Sequence, residues 1–153
     1  MKNLRFLQIL SLCVVLTGWL SVTAIPIPAP KASIIHTNSK SLAAMKFKNV
    51  EFAFNKAEVP VTSYKTLDKV AKLMVENDAA LRLGGYADNR GGYVYNWKLS
   101  KARAEAVKDY LVKKGADKIR IAATEYGYTQ PIASNNTKLG RQKNRRVEVK
   151  FTE

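Results

Sequence analysis

Between Met45 and Phe151 the spacing of apolar residues switches repeatedly between the two-residue period of a strand and the 3.6-residue period of a helix. That order of periods limits the folds open to the chain more than any other feature. Met45, Phe47, Val50, Phe52 and Phe54 are interleaved with Lys46 and Lys48, which reads as a first strand with an irregularity near Asn49. Thr62 or Ser63 can cap a helix, and Leu67, Val70, Ala71, Met74 and Val75 recur on one face of it. Residues 81–87 read as a second strand containing Gly84-Gly85, and 88–92 as a polar, glycine-bearing loop. A long helix is expected over 93–113, with Leu99, Ala102, Ala106, Val107, Tyr110 and Leu111 on its apolar side and Gly115 as its stop. Residues 119–124 read as a third strand and 126–139 as a long loop carrying Gly127, Pro131 and Asn135-Asn136. Residues 146–151 alternate again, with Val147, Val149 and Phe151 inward and Glu148 and Lys150 outward. The order βαβαβ-loop-β predicts an α/β (α+β) two-layer sandwich, a mixed four-stranded sheet with its helices on one face.

The N-terminal end has a different character. Lys2 and Arg5 precede an apolar run from Phe6 to Leu20, and the small residues at 21–24 follow it. Residues 1–24 are therefore expected to be a secretory signal cleaved after Ala24, the run being shorter than the roughly 20 residues of a membrane span. Cys13, the single cysteine, lies inside that run, after Leu12, which is not where a lipid-modified cysteine stands. Without it no disulfide can form, so the fold must stand on its core. Residues 25–43 begin with three prolines in six positions and contain the single histidine, His36, which is read as a solvated residue of an extended linker. The folded domain is expected at 44–153. The chain carries a net charge of +14, and loss of Lys2 and Arg5 would leave +12. That balance suits anionic partners or a merely solvated basic surface, and charge alone does not choose between them.

One pair of charges stands out. Arg103 lies four residues after Leu99 and three before Ala106, beside the apolar stripe of the long helix, where a guanidinium is partly desolvated and needs a partner. Asn96 is seven residues earlier on nearly the same face, and Asp88 lies in the loop that feeds the helix. Strand end, glycine loop and helix start form a concave corner in an α/β sheet. Asp88 and Arg103 could there pair as a structural salt bridge, or grip a ligand bearing both an ammonium and a carboxylate.

Gly-Tyr-Ala-Asp-Asn-Arg-Gly at 85–91, Asn96, Leu99-Ser100, Arg103-Ala104 and the run 140–148 (Gly-Arg-Gln-Lys-Asn-Arg-Arg-Val-Glu) resemble the signature of OmpA-like domains. Residues 52–56 are similar to the family's first-strand motif, and Gln130-Pro131 also falls in place. The resemblance spans about residues 45–152. It implies non-covalent binding of peptidoglycan, with the diaminopimelate of the stem peptide in the site. Asp88 would then accept from its ammonium and Arg103 would hold its carboxylate in a planar fork, with Asn55, Asn96 and Arg145 lining the site. Ala53 and Ala87 stand where the family often has aspartate and threonine, and Tyr93-Val94-Tyr95 makes the loop more aromatic than the pattern.

Other classes fit less well. With no cysteine after residue 24, a linker histidine and no metal-ligand cluster, neither an enzyme nor a cofactor or metal is expected. Asp88 and Glu125 are the carboxylates a glycosidase would need, and nothing in the sequence sets their separation. Gly91-Gly92 lacks the Lys-Ser/Thr of a phosphate loop. Arg145 fits the family site, and Arg146 reads as its solvated neighbour. Export argues against a nucleic-acid partner. The expected place is the periplasm or the outer-membrane side of the envelope, with a general polyanion binder as the alternative, recognisable by steep salt dependence.

Overall fold

The computed structural model describes residues 41–152. The expectations for 1–24 and for residues 25–40, Cys13 and His36 among them, lie outside the described residues. A four-stranded sheet is built from β1 (Val50–Glu51), β2 (Leu81–Gly85), β3 (Ile121–Glu125) and β4 (Arg146–Phe151) in the order β1-β4-β2-β3. β4 runs antiparallel to both β1 and β2, while β2 and β3 are parallel, so the sheet is mixed as expected. Helices α1 (Tyr64–Asn77) and α2 (Tyr93–Lys113) cover one face, and a short α3 (Lys138–Asn144) precedes β4. Arg82, Glu148 and Lys150 lie together on the opposite, open face.

The core lies between the helices and the sheet. α1 contributes Leu67, Val70, Ala71 and Met74; β2 contributes Leu81 and Leu83; β4 contributes Val147, Val149 and Phe151; and Val107 and Leu111 come from α2. Each large aliphatic side chain buried there contributes roughly 1.5–3 kcal/mol. Leu42 is also part of the core, two residues before the expected start of the domain.

Several sequence expectations need correction. β1 is two residues long, because the chain before Val50 leaves the ladder; Met45 and Phe54 are exposed, while Phe47 packs edge-on against Phe151. Val75 is exposed on α1. Ile119 sits in a 3-10 turn (Lys118–Arg120) capped by Asp117, and lies outside the third strand. The buried face of α2 is Asn96, Ser100, Arg103, Ala104, Val107 and Leu111, whereas Ala102 is exposed and Leu99, Ala106 and Tyr110 only half-buried. The expected stripe was rotated because the first half of the true face is polar, and apolar spacing cannot see it. The expected long loop ends in α3, whose Thr137 hydroxyl caps the Gly140 amide at 3.0 Å. With Leu139 68% exposed, that helix has no apolar stripe to announce it. Arg146, read as solvated, is buried on the open face: its guanidinium lies 3.7 Å from the Tyr86 ring and 2.6 Å from Glu148 Oε1.

Gly85 closes β2 where α2 crosses it, and a Cβ there would lie 2.1 Å from the Ser100 carbonyl oxygen. Gly85→Ala must therefore lift α2 from the sheet, with an expected loss of about 1–3 kcal/mol. Urea unfolding followed by circular dichroism measures it, and an unchanged midpoint would contradict this packing.

Candidate functional site

The topology gathers the site at one edge of the sheet. The ends of β1 and β2 and the start of β4 lie together, since Glu51 pairs with Arg146 and Gly85 with Val147. The chain leaving β2 reaches Asp88 three residues later, the chain leaving β1 passes through residues 52–56, and Arg145 stands one residue before β4. α2 starts after Gly92 and lays Asn96 and Arg103 across the same place.

Asp88, Asn96, Arg103 and Arg145 are all buried there, and Asn55 is at the rim. Asp88 does not pair directly with Arg103. Its Oδ2 accepts from Arg145 Nη1 at 2.8 Å and from Arg90 Nη2 at 3.2 Å, while Oδ1 accepts the Arg90 amide at 3.0 Å. A carboxylate has about four acceptor positions, so these three donors leave one. Burial alone would raise the Asp88 pKa, but the bonds from Arg145 and Arg90 outweigh it and hold the carboxyl below its ordinary 3.8.

Arg103 is fully buried and donates to three backbone carbonyls: Nε to Lys56 (2.9 Å), Nη1 to Tyr86 (2.9 Å) and Nη2 to Ala53 (3.3 Å). A guanidinium has five N–H donors, so two remain. Burial pushes its pKa down to about 10, and the neighbouring Arg145 pushes the same way against Asp88 and Tyr95. It stays a cation at neutral pH, so two buried cations and the exposed Arg90 surround one buried anion.

The remaining candidates position more than they contact. The Asn96 amide donates to the Arg90 and Gly91 carbonyls at 3.0 and 3.2 Å, fixing the loop that carries Asp88. Arg145 ties the Phe52 carbonyl at 3.0 Å and donates to Gln142. Asn55 adopts a left-handed backbone (φ 57°), and its side-chain oxygen accepts from the Tyr95 hydroxyl. Arg90, Tyr95 and Asn144 carried no site role in the sequence reading. Arg90 both pairs with Asp88 and lies 3.8 Å from the exposed Phe54 ring, while the Tyr95 hydroxyl donates to Asn55. Arg90 was visible only as part of the 85–91 motif. Asn144 is the third. Fully buried, it accepts the Ile132 and Ala133 amides at 2.9 and 3.0 Å and so pins the long loop beside the site.

The model of the OmpA family matches residues 51–145, which run from the end of β1 to Arg145 and so include every one of these side chains. The chain belongs to the OmpA family. OmpA-family relatives include outer membrane porin F of Pseudomonas fluorescens, 41% identical over 102 residues, which are 66% of this chain and 31% of the porin. The peptidoglycan-binding protein ArfA of Mycobacterium tuberculosis is 39% identical over 132 residues, 85% of this chain and 40% of ArfA. The chain thus spans well under half the length of either relative. Among solved structures, the peptidoglycan-associated lipoprotein of Burkholderia pseudomallei superposes with a TM-score of 0.67 at 25% identity, covering 71% of this chain and 92% of that one. This OmpA-family domain accordingly has the mixed four-stranded sheet and helices of its structural relatives.

Proposed function

We propose that this OmpA-family chain is a non-catalytic binding module of the cell envelope that holds peptidoglycan non-covalently through the diaminopimelate of the stem peptide. The observation that carries the reading is the buried charge cluster at the sheet edge: one acceptor position remains on Asp88 and two donors remain on Arg103. A zwitterionic end group presents an ammonium and a carboxylate at a fixed separation, which is what one anion and one cation held rigidly can recognise. Asp88 takes the ammonium and Arg103 the carboxylate. Arg145 sets the Asp88 carboxylate, Asn96 holds its loop, and Asn55 opens with Tyr95 to admit the ligand. The names of ArfA and of the Burkholderia lipoprotein support peptidoglycan as the partner. A signal at residues 1–24 would place the domain in the periplasm or on the outer-membrane side of the envelope.

Co-sedimentation of the purified protein with peptidoglycan sacculi tests this. Wild type is expected to pellet at low and moderate salt, to be released by free meso-diaminopimelate but not by lysine, and to stay in solution as Asp88→Ala once a thermal melt shows that variant folded. If Asp88→Ala pellets as well as wild type and salt releases both, the net positive charge does the binding. The domain is then a general polyanion binder.

A further inference from the structure

Tyr93, Trp97 and Tyr128 form an aromatic cluster open to solvent beside the charge cluster. Tyr93 and Trp97 stack with centroids 5.7 Å apart and planes 29° apart, and Tyr128 meets Tyr93 edge-on at 6.2 Å. Tyr93 is 52% exposed and Trp97 37%. Large aromatic side chains left together in water mark an interaction surface. They belong to neither the core nor the grip on Asp88 and Arg103.

The cluster is mounted rigidly against that grip. Tyr93 and Trp97 flank Asn96 on the first turn of α2, and the Asn96 amide holds the loop that carries Asp88. The loop of Tyr128 is fastened to the first half of the same helix. The Ser100 hydroxyl accepts the Gly127 amide at 3.0 Å, and a Cβ at Gly127 would lie 3.6 Å from the Trp97 amide nitrogen. The Gly127 carbonyl in turn accepts the amide of Ala87, the residue before Asp88, at 2.7 Å.

We infer that Tyr93, Trp97 and Tyr128 form a sugar-binding platform that takes the glycan strand of the same peptidoglycan whose stem peptide enters at Asp88. The inference rests on the function proposed above. A pyranose ring has an apolar C–H face, which stacks on an aromatic face by dispersion and weak C–H contacts, and a polar rim, to which the hydroxyls of Tyr93 and Tyr128 can donate. The stem peptide is covalently joined to the glycan a few residues from its diaminopimelate, so a peptide held at Asp88 brings the sugar to the cluster at high effective concentration.

Binding of two ligands separates the two readings: a disaccharide-bearing muropeptide and the same diaminopimelate-containing stem peptide without sugar. The chain has two tryptophans, Trp19 and Trp97, so in the Trp19→Phe protein the indole emission reports Trp97 alone. The muropeptide is expected to bind about tenfold tighter than the sugar-free peptide. It should also shift the Trp97 emission, which the sugar-free peptide should not. Trp97→Ala, with folding checked by circular dichroism, should remove the tenfold difference and leave the affinity for the sugar-free peptide unchanged. Tyr93→Ala should do the same in part. Equal weakening of both ligands by Trp97→Ala, or no change in either, overturns the platform while leaving the Asp88 site standing. So does a single-stranded oligonucleotide whose binding is lost in Trp97→Ala while muropeptide binding persists. If neither ligand binds wild type, the proposed function fails, and the platform with it.

Discussion

Arg103→Ala should unfold with a free energy about 3–5 kcal/mol below wild type. With Arg146, Arg103 is the largest fully buried side chain among the described residues, and its guanidinium ties together the Lys56, Tyr86 and Ala53 carbonyls. Truncation leaves those acceptors without a donor, each costing about 1–3 kcal/mol if it stays dry. Water entering the polar cavity satisfies some of them, and repulsion between Arg103 and Arg145 is relieved, so the total falls short of the simple sum. A domain of this size has about 5–15 kcal/mol in all, so the variant should be marginal. Urea unfolding at neutral pH gives the difference, and a loss under about 1 kcal/mol would mean that the three carbonyls do not depend on Arg103. Arg103 builds the site through these carbonyls, so loss of binding in this variant alone does not report contact with ligand.

Asp88→Asn should be nearly as costly and should also change the response to acid. Removing the carboxylate charge leaves Arg145 and Arg103 buried around a neutral group, and breaking a buried pair by removing one partner costs about 3–5 kcal/mol. Because the folded-state pKa of Asp88 lies below its ordinary 3.8, folding favours the ionised form. Its stabilisation is therefore fully present above 3.8 and is lost as pH falls through the lower folded-state value. Glu148 behaves alike: burial would raise its pKa, but bonds from Lys150 and Arg146 lower it. Wild type should thus lose urea resistance below about pH 4. Asp88→Asn should start lower and lose less, retaining the part due to Glu148. Identical slopes of midpoint against pH for the two proteins would show that Asp88 does not titrate with folding.

At the rim of the site Arg90 lies over Phe54, and Asn55 accepts from Tyr95. Phe54 was read as the last apolar residue of the first strand, yet β1 ends at Glu51 and Phe54 is 54% exposed. After Glu51 the chain instead turns aside to offer the Ala53 and Lys56 carbonyls to Arg103. A buried cation thus decides where β1 ends, and no period in the sequence reports it.

By itself the sequence determined the order of the four strands and of α1 and α2, the span of α2 at Tyr93–Lys113 and of β4 at Arg146–Phe151, the class of the sheet and the family. These follow from local periodicity, from Gly115 in a left-handed turn (φ 97°), and from motifs read in line. The tertiary structure alone decided which charges meet. Asp88 pairs with Arg145, 57 residues away, and with Arg90, while Arg103 pairs with carbonyls 17 to 50 residues away. It also decided that the first half of the buried face of α2 is polar and that a helix without an apolar stripe stands before β4. The physical reason is common to all three. Periodicity records burial of apolar surface, whereas buried polar groups are selected by partners distant in sequence that only the closed sheet edge brings within hydrogen-bonding reach.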